Sequence, residues 1–86
     1  MHRFIVETEH TSEICPLVIG EVHSLGYLHH YEWGCDVGVH KGWACLEAEN
    51  EDEALLSVPM IVRSQARAVR VIQFTEEDFD RLHIER

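Results

Sequence analysis

The order of apolar periods along this chain constrains its fold more than any motif does. A run that alternates like a strand, His2–Thr8, precedes a run with helical spacing, Ser12–Leu25. Two more strand-like runs follow, His29–Val37 and Gly42–Glu49, joined by a glycine-containing turn. A helix over Glu51–Val58, a fourth strand over Arg67–Phe74 and a short terminal helix complete the series. This βαββαβ order is the split-βαβ arrangement. It predicts a sheet with helices on one face and the other face open. An open face that carries apolar side chains needs a cover, and a second copy of the chain is the usual one.

Local signals support each element. Strand 1 alternates Phe4 and Val6 against Ile5 and Glu7, the period-2 pattern of a pleated strand. Thr11, Ser12 and Glu13 supply a helix start, and Pro16 fits only in a first turn. Ile14, Leu17, Val18, Val22 and Leu25 form one stripe, with Gly26 as the stop. In strand 2, Tyr31, Trp33, Cys35 and Val37 alternate with His30, Glu32, Gly34 and Asp36. Gly38–Gly42 reads as a long hairpin connection. Strand 3 offers a small apolar face, Ala44, Leu46 and Ala48, suited to helix packing. Trp43, Cys45, Glu47 and Glu49 take its other face. Strand 4 sets Val69 and Val71 against Arg70, Ile72 and Phe74. Asn50 with Glu53, and Thr75 with Asp78, read as capping boxes. Pro59 ends the second helix and opens one further turn over Met60–Ser64. Phe79, Leu82 and His83 are expected to pack the terminal helix on the body or on a partner.

Eighty-six residues make one domain, residues 1–86. A core this small is marginal alone and gains from a metal, disulfides or oligomerisation. Three cysteines without a CxxC spacing argue against a disulfide framework and for a reducing cytoplasm. No apolar run has the ~20 residues of a membrane span. A net charge of −9, from seven Lys and Arg against sixteen Asp and Glu, argues against nucleic acid and anionic membranes as partners. Seven histidines are many for this length; most are expected to be solvated, which makes solubility pH-dependent.

The segments EWGCDVGVHKGWACLEAENEDEALLSVP (Glu32–Pro59) and RSQARAVRVIQFTEEDF (Arg63–Phe79) resemble small bacterial proteins of the dimeric α/β-barrel superfamily. The shared features are a tryptophan before the hairpin, a glycine–aromatic pair after it and an arginine-rich approach to the last strand. The resemblance spans nearly the whole chain. It implies an α+β, ferredoxin-like domain with a four-stranded antiparallel sheet, and a homodimer in which two open sheets close a barrel. The superfamily includes muconolactone-isomerase-like enzymes, monooxygenases of polyketide and haem chemistry, and a nickel-binding protein. No catalytic motif of those enzymes maps onto this chain residue by residue, and fold alone does not transmit activity.

Two clusters carry candidate chemistry. Around the hairpin, His29, His30, Cys35, Asp36 and His40 offer imidazole, thiol and carboxylate groups suited to nickel, zinc or copper. Their spacing matches no metal signature, and alternation sets His30 and Cys35 on opposite strand faces. On the open sheet face, Glu7, His30, Glu32, Trp43, Cys45, Glu47, Arg70 and Ile72 are expected to line a pocket for a small polar or aromatic ligand. The same face serves equally as a dimer interface with Arg70 paired to Glu7 or Glu47. Cys15, in the first turn of helix 1, reads as a packed thiol rather than a reactive one. Three function classes therefore stand open. They are a binding protein for a small ligand or metal, a cofactor-free isomerase or monooxygenase, and a ligand-free interaction protein. Nucleotide and flavin motifs are absent from the sequence.

Overall fold

The computed structural model describes residues 1–82. Strand β1 (His2–Glu9) leads through a 3₁₀ turn, Ser12–Ile14, into helix α1 (Cys15–Ser24). A second 3₁₀ turn, Leu28–His30, precedes β2 (Tyr31–Trp33), and a third, Cys35–Val37, lies between β2 and β3 (Lys41–Ala48). Helix α2 (Glu51–Leu55), a 3₁₀ segment Met60–Gln65, β4 (Arg67–Val71) and helix α3 (Glu76–Arg81) follow. The four strands form one sheet in the order β2-β3-β1-β4, with every neighbouring pair antiparallel. This is an α+β architecture consistent with a ferredoxin-like layout.

Three elements are shorter than their sequence patterns. The β2 run was expected over His29–Val37. Its backbone is diverted at Gly34, whose carbonyl accepts from the N–H groups of Val37 and Val39 while its own N–H bonds to Lys41 O at 3.0 Å. Those bonds curl residues 35–37 out of the sheet. Strand β4 stops at Val71 because its partner β1 runs out: Arg3 pairs Val71, one residue from the start of β1. Helix α2 stops at Leu55 rather than Val58. Ser57 there turns its hydroxyl back to Ala54 O at 2.8 Å. The terminal-helix contact expected of His83 lies outside the described residues.

Register fixes the two faces. Phe4, Val6 and Thr8 of β1 stand beside Leu46, Ala44 and Gly42 of β3, and point toward the helices. Val18 and Val22 of α1, Ala54 of α2, and Val58 and Val62 beyond it close over them, each nearly inaccessible. Burying each valine contributes about 1.5–3 kcal/mol. The alanines of β3 let the helical layer approach closely, as the small apolar face predicted. Pairing of Phe4 with Arg70 and Val6 with Ala68 puts Val69 and Val71, not Arg70, on the open side. Among the described residues, no helix is long and apolar enough to cross a membrane.

The α2 cap forms from Asn50, whose Oδ1 accepts the Glu53 N–H at 2.8 Å. The Glu53 carboxylate reaches Glu49 N at 3.3 Å instead of the cap residue itself. Thr75 and Asp78 complete the full reciprocal box at 3.0 Å in each direction. Replacing Asn50 by Ala should cost about 1 kcal/mol. The midpoint of thermal unfolding, followed by circular dichroism, should fall by roughly 4–8 °C, and Asn50→Asp should restore most of it.

Candidate metal centre

Inward parity along β1 does not stop at its last strand residue. After Phe4, Val6 and Thr8 comes His10, which is only 5% exposed. Its N–H extends the ladder by one bond, to His40 O at 3.1 Å. The chain then turns through Thr11 into the 3₁₀ turn and delivers Cys15, at 8% exposure, to the first turn of α1 with Pro16 behind it.

The other two groups come from the loop between β2 and β3. Gly34 lies so close to the returning chain that a Cβ would sit 2.7 Å from Val39 O. Gly38 closes the loop in the left-handed region at φ 85°, a conformation that glycine adopts without a Cβ penalty. This pinched loop holds Cys35 at its start and His40 at its end, both half-buried. Trp33 packs behind, stacked on Tyr31 with ring centroids 5.1 Å apart and edge-on to His10 at 6.2 Å.

Four groups from three segments therefore converge. One ligand atom each from His10, Cys15, Cys35 and His40 lie within 4.8 Å of one another. The two sulfurs are 2.8 Å apart, and Cys35 Sγ is 3.5 Å from His10 Nε2. The His10 and His40 rings meet edge-to-face at 6.1 Å. Burial lowers the His10 pKa, with the charge of His40 adding to it. Burial also pushes the Cys35 thiol up to about 11, helped by its hydrogen bond with Cys15. The buried side-chain nitrogen and oxygen atoms without a partner among the described residues are Thr8 Oγ1, His10 Nδ1 and His40 Nδ1. All three belong to this one corner, and such groups cost about 1–3 kcal/mol each.

Of the hairpin candidates, the structure brings Cys35 and His40 into the cluster. His29 and His30 lie instead in the turn before β2, with their rings 4.2 Å apart. The pocket candidates divide. His30, Cys45 and Glu47 line an open groove of about 500 Å³ together with Arg3 and Tyr27. Glu7 and Trp43 pair on the open face, the indole donating to Glu7 Oε1 at 3.0 Å, and Glu32 stands opposite Trp43. The indole bond is the main reason the Glu7 pKa is lowered, with Lys41 and Arg67 adding to it. Arg70 faces the helix side, so the expected pairing with Glu7 or Glu47 across the open face does not form. Glu7 instead meets Lys41 at 3.7 Å and Arg67 at 3.9 Å. Ile72 lies just past the end of β4 and is 66% exposed.

Sequence reasoning missed His10 as a site residue and read Cys15 only as packing. The signal for His10 was present: the even-numbered inward series of β1 continues to it. Comparison with family models, curated proteins and solved structures gives no match for this chain, so the site stands on its own geometry.

The loop's dependence on a missing Cβ is testable. Gly34→Ala must displace Val39 and with it the segment that carries Cys35 and His40. The variant should lose about 1–3 kcal/mol, as overpacked sites do. Its half-buried Cys35 thiol should react faster than wild type with an aromatic disulfide reagent, followed by absorbance and peptide mass.

Proposed function

We propose that this chain is a metal-binding protein that holds one Zn²⁺ through His10, Cys15, Cys35 and His40. The observation that carries the reading is the convergence of two thiols and two imidazoles within 4.8 Å, from the end of β1, the start of α1 and the β2–β3 loop. Two sulfur and two nitrogen donors suit zinc in a tetrahedral site. With Zn–S bonds of about 2.3 Å, the sulfurs of such a site stand roughly 3.8 Å apart, so the pair opens by about 1 Å to admit the ion. Four protein ligands leave no open position for substrate, the mark of a structural site rather than a catalytic one. Metal bound here ties the end of β1, the start of α1 and both ends of the β2–β3 loop together.

Zinc should raise the melting temperature, because a ligand held only by the folded state stabilises it by mass action. At free zinc near 1,000 times the dissociation constant the gain is about 4 kcal/mol, or on the order of 15 °C or more for a chain this size. Elemental analysis of untagged protein should give one zinc per chain. His10→Ala and Cys15→Ser should each abolish the shift, whereas His29→Ala and His30→Ala should keep it, and magnesium should give none. A chain that takes up no zinc, or keeps its affinity without Cys15, would overturn the reading. Binding should also release protons, since zinc takes the thiolate and the Cys35 thiol is held above its ordinary value. Apparent affinity should therefore weaken as pH falls, and calorimetry in buffers of different ionisation enthalpy reads the released protons.

We further propose that the chain pairs through its open sheet face as a dimeric α/β barrel. Ile5 at 37% and Val69 at 48% exposure stand side by side on that face, next to exposed Cys45. Arg3 and Glu7 flank Ile5 symmetrically along β1. A two-fold axis crossing β1 at Ile5 sets Arg3 of one copy against Glu7 of the other, so the face complements itself in charge. Sedimentation at micromolar concentration should show a dimer, and Ile5→Asp should yield a monomer. A wild-type monomer would remove this proposal and leave the metal reading untouched.

A further inference from the structure

We propose that Cys15 and Cys35 form an oxidation site, at which a hydroperoxide joins the two sulfurs as a disulfide and expels the zinc. The inference rests on the metal reading above and adds a reaction to that site. Its ground is the geometry of the pair. The sulfurs already stand 2.8 Å apart, about 0.8 Å from the length of a disulfide bond. They come from segments 20 residues apart in sequence, with no turn of their own to hold them together. The two sulfurs differ in access: Cys15 is buried, whereas Cys35 sits half-exposed on the loop. An oxidant from solvent therefore meets Cys35 first.

The step balances with the hydroperoxide as the only oxidant. The Cys35 thiolate attacks the peroxide oxygen and the O–O bond breaks, giving Cys35 sulfenic acid and an alcohol or water. The Cys15 thiolate then attacks the Cys35 sulfur, the S–O bond breaks, and hydroxide leaves as water after taking a proton. Two thiolates lose two electrons in all, and the peroxide gains them. A disulfide is a poor zinc ligand, so only His10 and His40 remain, and two imidazoles do not retain the ion against water. Cys45 plays no part. It lies on the open sheet face, within 3.3 Å of the Arg3 guanidinium and on the opposite side of the sheet from the pair, and is read separately in the peptide map.

The test uses the full chain loaded with zinc and titrated with hydrogen peroxide. A chromophoric chelator reads released zinc, a thiol reagent reads remaining thiols, and peptide mass mapping reads linkage. The expected result is one zinc freed for every two thiols lost, a Cys15–Cys35 link in the map, and recovery of zinc binding after dithiothreitol. Retention of zinc while Cys45 is oxidised would overturn the inference and leave the metal reading standing. Zinc loss with Cys35 carried on to sulfinic acid and no Cys15–Cys35 link would overturn it as well. A chain that takes up no zinc before peroxide is added would remove the metal reading itself, and the inference with it. As a second check, Cys35→Ser should leave Cys15 as a free thiol under the same titration; a disulfide of Cys15 to Cys45 there would show that proximity does not select the pair.

Discussion

Strand β1 is hydrogen-bonded along both edges, to β3 over eight residue pairs and to β4 over five. Its side-chain parity therefore decides what the whole sheet presents on each face. A shift of one residue would move Phe4 and Val6 from the core to the open side and bring Ile5 and Glu7 inward. The core valines of the helical layer hold that register, because they have no other apolar surface to cover. The same register carries His10 inward past the end of the strand. Packing of the core and assembly of the His–Cys corner are thus one constraint seen at two ends of β1.

The corner itself is built on three glycines. Gly34 permits the chain to fold back within van der Waals contact of Val39. Gly38 closes the loop with positive φ. Gly42 leaves the space that the Trp33 ring fills, since a Cβ there would stand 2.7 Å from the indole. Trp33 in turn backs His10. Three glycines within nine residues thus convert a hairpin into a loop that aims a thiol and an imidazole at the same point.

Much of this was legible in the sequence, and the parts that were not share a cause. The four-stranded α+β character, the helix-facing alanines of β3, the Asn50 and Thr75 caps and the Met60 turn follow from local periodicity and capping chemistry, which act within a few residues. The extent of β2, the face of Arg70 and the convergence of His10 with Cys15, Cys35 and His40 depend on partners that periodicity does not specify: Val37, Val39 and Lys41 for Gly34, Phe4 for Arg70, and the meeting of three segments for the cluster. Alternation continues through Gly34 in the sequence, but the strand ends at Trp33 and Cys35 lies in a 3₁₀ turn with no strand face. Alternation within β4 separates Arg70 from Val69 and Val71 but does not say which set faces the helices; register against β1 decides that. Sequence proximity groups the hairpin histidines, whereas the convergence of side chains is decided by where three segments meet.

The energetics of the corner bear on the proposed ion. A small domain has little stability to spare, yet this one buries a histidine at 5% exposure and leaves ring nitrogens of His10 and His40 unpartnered. Apolar side chains of the same volume would remove that penalty, so the polar groups lower stability unless something binds them. Hydrogen bonding within the cluster does not compensate, because a thiol is a weak donor and a weak acceptor. A divalent cation changes the sign of the same features. Burial then keeps water from competing, the lowered His10 pKa keeps a nitrogen lone pair free for the metal, and the same burial that raises the Cys35 pKa disfavours a thiolate that has no cation beside it. The arrangement is costly as a core and economical as a ligand set, and that asymmetry is the physical reason to read it as a metal centre.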